Sequence, residues 1–103
     1  MLYYKLVRDK IPEIIEKSGK KANTYVLSDK EYEIYLERKL DEEVGEYHDS
    51  KDPTELADIL EVVFALAKIK GCECSDLLKL QKQKATDRGG FSKKILLISV
   101  TEN

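Results

Sequence analysis

The chain has 103 residues, 42% of them apolar and 37% charged, and its 18 basic and 20 acidic side chains leave a formal charge of −2. That composition describes one globular domain with a heavily charged exterior. It is too apolar for a disordered chain and too nearly neutral to grip a long nucleic-acid backbone, which needs a net basic stripe. No apolar run approaches the roughly 20 residues that a bilayer span requires, and the opening Met1-Leu2-Tyr3-Tyr4-Lys5 lacks the layout of a secretion signal. Cys72 and Cys74 lie too close together to staple a fold, so a cytoplasmic protein with reduced thiols is expected, with neither nucleic acid nor membrane as partner.

Residues 3–8 are short, mixed and compatible with an extended segment. Asp9 is suited to cap a helix through Ile11, Ile14 and Ile15, with Pro12 tolerated in its first turn and Gly19 at its end. Asn23-Thr24-Tyr25-Val26-Leu27 favours a brief strand. Ser28-Asp29-Lys30-Glu31 has the form of a capping box and opens a long helix to about Asp49, whose apolar row is Leu36, Leu40, Val44 and Tyr47. Ser50-Lys51-Asp52-Pro53 interrupts it. Asp52 then caps a third helix with Pro53 at the first position, running to Gly71, and a fourth spans roughly Ser75 to Arg88 before Gly89-Gly90. The tail, Ile95-Leu96-Leu97-Ile98-Ser99-Val100, is β-rich and is expected to pair with the Tyr25 segment. The predicted fold is all-α: one domain over residues 1–103, a bundle of about four helices with a small two-stranded β element. The third helix is apolar on most sides and should be enclosed, which implies dimerisation through the helices.

The short break before Pro53 forces the second and third helices into an antiparallel hairpin. Glu43 and Glu46 are three apart on one helix, and Glu55 and Asp58 are three apart on the other, so each pair forms an acidic edge near the turn. The row through Glu55 and Asp58 continues as Val62, Ala65 and Ile69. The row through Glu43 and Glu46 begins as Tyr32, Leu36 and Lys39. The acids thus end otherwise apolar faces. Enclosed carboxylates cost several kcal/mol each unless paired or bound to a cation. All-oxygen ligation suits Mg²⁺, or Mn²⁺, whereas zinc recruits His or Cys. The competing account is a solvated acidic face, with Glu55 serving as the third-position glutamate of a box capped by Asp52. Glu42 is expected to point outward, and Glu61 to be exposed or to support the cluster from behind. His48, the lone histidine, reads as a surface residue, and Arg88-Gly89-Gly90 as a glycine stop rather than an RNA-binding repeat. Six tyrosines read as core or interface, with one available to stack on a base.

Glu42-Glu43-x-x-Glu46 followed by Glu55-x-x-Asp58 resembles the paired signature of the MazG-like nucleoside triphosphate pyrophosphohydrolases, which are grouped with phosphoribosyl-ATP pyrophosphohydrolase and the dimeric dUTPases. The opening Tyr4-Lys5-Leu6-Val7-Arg8-Asp9-Lys10-Ile11-Pro12 and the late Lys84-x-x-x-Arg88-Gly89-Gly90-Phe91 resemble a small phosphoribosyl-ATP pyrophosphohydrolase-like branch. Eight residues separate Glu46 from Glu55, where typical members carry a longer insertion. The resemblance implies hydrolysis of a nucleoside triphosphate to the monophosphate and pyrophosphate, with Mg²⁺ held by Glu43, Glu46, Glu55 and Asp58. It also implies dimers, or dimers of dimers, with substrate between subunits. Glu43 or Glu46 is the expected base. Lys84 and Arg88, four apart on one face, and Lys5 and Arg8 near the N-terminus are the expected phosphate-binding cations. The contrasting reading is a non-catalytic helical dimerisation module with a vestigial acidic cluster.

Overall fold

In a computed structural model, which describes residues 3–102, the chain forms four helices: α1 (Ile11–Lys17), α2 (Asp29–Ser50), α3 (Pro53–Ile69) and α4 (Cys74–Arg88). The expected all-α architecture holds. The expected β element is absent among the described residues. Residues 20–28 and 94–101 run without ladder partners, and Val26 and Ile98 are 92% and 88% exposed. Their β propensity is real, but two lone strands make a marginal sheet, and nothing in the single chain brings an apolar face against them.

Local chemistry explains the helix boundaries. Ser28 accepts the Glu31 amide at 3.2 Å, and the Glu31 carboxylate accepts the Ser28 amide at 2.9 Å, closing the anticipated box. The same backbone donor holds the Glu31 carboxyl below the ordinary glutamate range. Lys51 ends α2 in the left-handed conformation (φ +58°), and Asp52 restarts the chain by accepting the Thr54 amide at 2.9 Å with Pro53 at the first helical position. Two residues therefore link α2 to α3, and the helices must fold back on each other. α1 departs from expectation. Lys10, not Asp9, is its N-cap, and no side chain caps it.

The core lies between α2 and α3. Leu36, Val62 and Leu66 are buried, flanked by Leu6, Tyr32, Leu40, Ala65 and Ile69. Leu36, Leu40, Val62, Ala65 and Ile69 lie on the rows read from spacing, whereas Val44 and Tyr47 of the expected α2 row are not part of this cluster. Leu6 pins the N-terminal segment across the hairpin. α4 packs only on α3 and has no buried residue. As a result, α3 is not enclosed as expected: Leu56 and Leu60, on its far side, are 48% and 49% exposed. The chain exposes 9480 Å² and has a radius of gyration of 18.4 Å, with extents of 67 × 32 × 21 Å. A compact monomer of this size would expose about 5,900 Å² with a radius near 13 Å. No helix among the described residues is long and apolar enough to cross a membrane.

Candidate metal centre

The rise of 1.5 Å per residue sets the heights of the acids on the hairpin. Glu43 lies seven residues before the end of α2 and Asp58 five after the start of α3, so they stand roughly level; Glu46 and Glu55 stand nearer the turn. Glu43, Glu55 and Asp58 each offer a carboxylate oxygen, and the three oxygens lie within 4.8 Å of one another. Some point between them is then within about 2.8 Å of all three, so a contraction of a few tenths of an ångström reaches the roughly 2.3–2.6 Å of Ca²⁺ bonds, and one of about 0.7 Å the roughly 2.0–2.1 Å of Mg²⁺ bonds.

The burial of the cluster is uneven. Glu43 is 7% exposed and is the buried charged residue among those described, while Glu55 and Asp58 are partly buried. Oε1 of Glu43 faces Lys39 Nζ at 3.4 Å, but Oε2 is sealed from solvent with no hydrogen-bond partner. A carboxylate oxygen in that position costs on the order of 1–3 kcal/mol unless something supplies positive charge. The residues thus fit a divalent cation on an observation separate from their clustering.

Glu55 carries the electrostatic signature of crowding. Withdrawal from solvent pushes its carboxyl above the ordinary glutamate range, followed by the negative charge of Glu46, then by the charge of Asp58 and a hydrogen bond to it, and then by the charge of Glu43. Glu46, although exposed and outside the triad, therefore stands close enough to act on it. The capping role considered for Glu55 is not used: Asp52 Oδ1 receives the Thr54 amide and hydroxyl, and the Asp52 amide donates to Ser50 Oγ instead of to Glu55.

Basic residues arrive from the N-terminal segment. With Leu6 turned into the core, Lys5 and Arg8 reach to either side of it. Arg8 Nη2 donates to Asp58 Oδ1 at 2.7 Å, and Lys5 Nζ sits 3.3 Å from Glu42. Glu42 consequently does not point outward; it is shared between Lys5 and Lys39, the latter at 3.5 Å. Lys39 was missed as a site residue, although its i,i+4 spacing to Glu43 on the same face was the available signal. Lys84 and Arg88 are exposed on α4, with no ion pair or hydrogen bond to the acids among the described residues. Glu61 and His48 are exposed, and both cysteines are unpaired thiols.

No family model matches the chain, and no solved structure matches it. A 41-residue stretch is 56% identical to an uncharacterised protein of Mycolicibacterium smegmatis, covering 40% of this chain and 42% of that protein. The chain thus spans less than half the length of that relative.

Proposed function

We propose that this chain is a Mg²⁺-dependent nucleoside triphosphate pyrophosphohydrolase, with Glu43, Glu55 and Asp58 as the inner metal ligands and Glu46 beside them. One observation carries the reading: the sealed, unpartnered Oε2 of Glu43 beside two further carboxylates. An acidic face kept for solubility would leave its oxygens in water; this one buries an oxygen beside like charges, an arrangement that a bound cation would stabilise. The carboxylate set and the absence of His or Cys from it favour Mg²⁺ or Mn²⁺ over zinc. The resemblance of the acid pairs to the MazG-like enzymes supports the same conclusion.

When bound, the ion would neutralise phosphate charge and lower the pKa of a coordinated water. The chain's own groups supply the rest. Glu46, exposed and not gathered into the triad, is the carboxylate best suited to accept the water's proton. The water oxygen bonds to phosphorus, the bridging oxygen between the α and β phosphates leaves, and monophosphate and pyrophosphate result. Arg8 spends one contact on Asp58; its remaining N–H groups can take a phosphate oxygen at the rim. Lys84 and Arg88 would take part only if α4 of a second copy brought them to the site.

That condition is consistent with an assembly of copies. The chain exposes roughly 3,600 Å² more than a compact monomer of its mass, above the roughly 1,000–2,500 Å² that each partner of an obligate dimer buries. Leu56 and Leu60 on α3 and the apolar tail at 95–100 are the surfaces it would cover. A homodimer, or a dimer of dimers, is the form we assign to the working protein. The deciding experiment incubates each common nucleoside triphosphate with the protein and Mg²⁺, scoring pyrophosphate against orthophosphate, with sedimentation on the same sample. Pyrophosphate from the wild type and its loss in Glu46→Gln support the reading. No pyrophosphate from any nucleotide refutes the enzyme, leaving a helical dimerisation module, and a single-copy sedimentation coefficient at micromolar concentration refutes the assembly.

A further inference from the structure

Beside the acid cluster lies a cavity of about 260 Å³ whose wall the pyrophosphohydrolase reading does not use. Tyr3, Tyr4 and Tyr35 supply its aromatic surface, and Lys5, Arg38 and Lys39 its positive charge, against a single carboxylate, Glu42. The Arg38 guanidinium stacks over the Tyr35 ring at 5.1 Å from its centre, which fixes both groups at the cavity edge. Tyr3 and Tyr4 are 70% and 77% exposed, so their rings are not used by the core. Tyr4 adopts the left-handed conformation (φ +48°), which residues other than glycine enter sparingly.

The cavity and the metal centre share a wall. Lys39 lines the cavity, and its ammonium lies 3.4 Å from the Glu43 carboxylate, while Glu42 joins Lys39 to Lys5. A ligand lying across Lys39 would therefore place one end among tyrosines and the other at the carboxylate triad. The first end suits a flat, polarisable ring with polar edges; the second suits a polyphosphate. The volume falls just below the roughly 300–1,000 Å³ of pockets that enclose a whole small ligand, so it matches part of one.

We propose that the Tyr3–Tyr4–Tyr35–Arg38 cavity is the nucleobase subsite, holding the base by stacking while the triphosphate crosses Lys39 to the acid cluster. This inference rests on the proposed reading of the acid cluster as the polyphosphate site. Stacking on the tyrosine rings would hold any base, and the Arg38 guanidinium, the Lys5 ammonium, the Glu42 carboxylate and the tyrosine hydroxyls are the lining groups that can read its polar edges.

The test is calorimetric titration, with Mg²⁺, of two probes: α,β-methylene nucleoside triphosphates, which resist cleavage, and inorganic tripolyphosphate. The proteins are the wild type, Tyr35→Ala, Tyr4→Ala, whose exposed ring the core does not use, and Glu43→Gln. The wild type should bind at least one analogue about tenfold more tightly than tripolyphosphate, the scale of one base–aromatic stack. Both tyrosine variants should lose that preference and keep the tripolyphosphate affinity, whereas Glu43→Gln should lose Mg²⁺-dependent affinity for both probes. Retained preference in both tyrosine variants, or a wild type that binds analogue and tripolyphosphate equally, overturns the subsite and leaves the metal centre standing. A tyrosine-dependent preference in a protein that releases no pyrophosphate upholds the subsite and overturns the enzymatic reading instead.

Discussion

Glu43→Gln separates a metal ligand from a merely structural acid by the sign of its effect. In the metal-free protein, Glu43 keeps Oε2 sealed and unpartnered, with the oxygens of Glu55 and Asp58 within 4.8 Å. The amide has nearly the same shape, removes one negative charge and adds two donors for the neighbouring carboxylates. Relieving a buried unsatisfied acceptor is worth about 1–3 kcal/mol, reduced here because the Lys39 contact at 3.4 Å is weakened at the same time. A net gain near 1 kcal/mol corresponds to a rise in Tm of roughly 4–8 °C for a domain of this size. Saturating Mg²⁺ then acts on the wild type. At a hundred times its Kd the ion stabilises by about 2.7 kcal/mol, while the glutamine variant, missing one ligand, gains little. Differential scanning fluorimetry at fixed protein concentration, with EDTA and with Mg²⁺, should show the two melting curves exchange order. Destabilisation of the variant by the same amount in both conditions, or a wild type indifferent to Mg²⁺, would refute the assignment of Glu43.

The pH response follows from Glu55, whose carboxyl is raised above the ordinary glutamate range. The folded state then holds its proton more tightly than the unfolded one, so the metal-free protein loses stability as pH rises from the ordinary glutamate pKa to that raised value. Because ligands bind metal deprotonated, the Mg²⁺-induced rise in Tm should grow across the same window; a pH-independent shift would count against Glu55 as a ligand. Arg8→Ala breaks a largely exposed ion pair with Asp58 and should cost under about 1 kcal/mol in denaturant titration, yet raise KM for the nucleotide severalfold; an unchanged KM excludes a phosphate contact. Leu36→Ala empties the most buried position of a small core and should cost roughly 2–5 kcal/mol in the same titration, and a loss below 1 kcal/mol would mean that the α2–α3 contact is not where stability resides.

Much of the candidate site can be read from spacing because it sits on two helices joined by a two-residue link. Once Ser28, Glu31, Asp52 and Pro53 set the ends, three-residue spacing places Glu43 and Glu46, and Glu55 and Asp58, on the facing edges. Lys39 follows the same rule. The partners of Glu42 do not: Lys5 reaches it from a segment more than 30 residues away, held in place only because Leu6 docks in the core. Arg8 meets Asp58 for the same reason. Glu46 shows the other limit, since its residue spacing to Glu43 is the one that Glu55 has to Asp58, yet it is exposed while Glu43 is buried.

By itself, the order of residues determined the four helices, the caps of α2 and α3, the antiparallel hairpin and the switch from apolar to acidic along its inner faces, because all of these are local or follow from helical periodicity. Tertiary structure alone decided that Glu43 is sealed while Glu46 is open, that the N-terminal cations lie against the acids, and that the two β-favouring segments stay unpaired. Burial and charge pairing depend on which distant segments fill the space around a side chain. Here much of that space, around α3 and the tail, is left empty by a single chain.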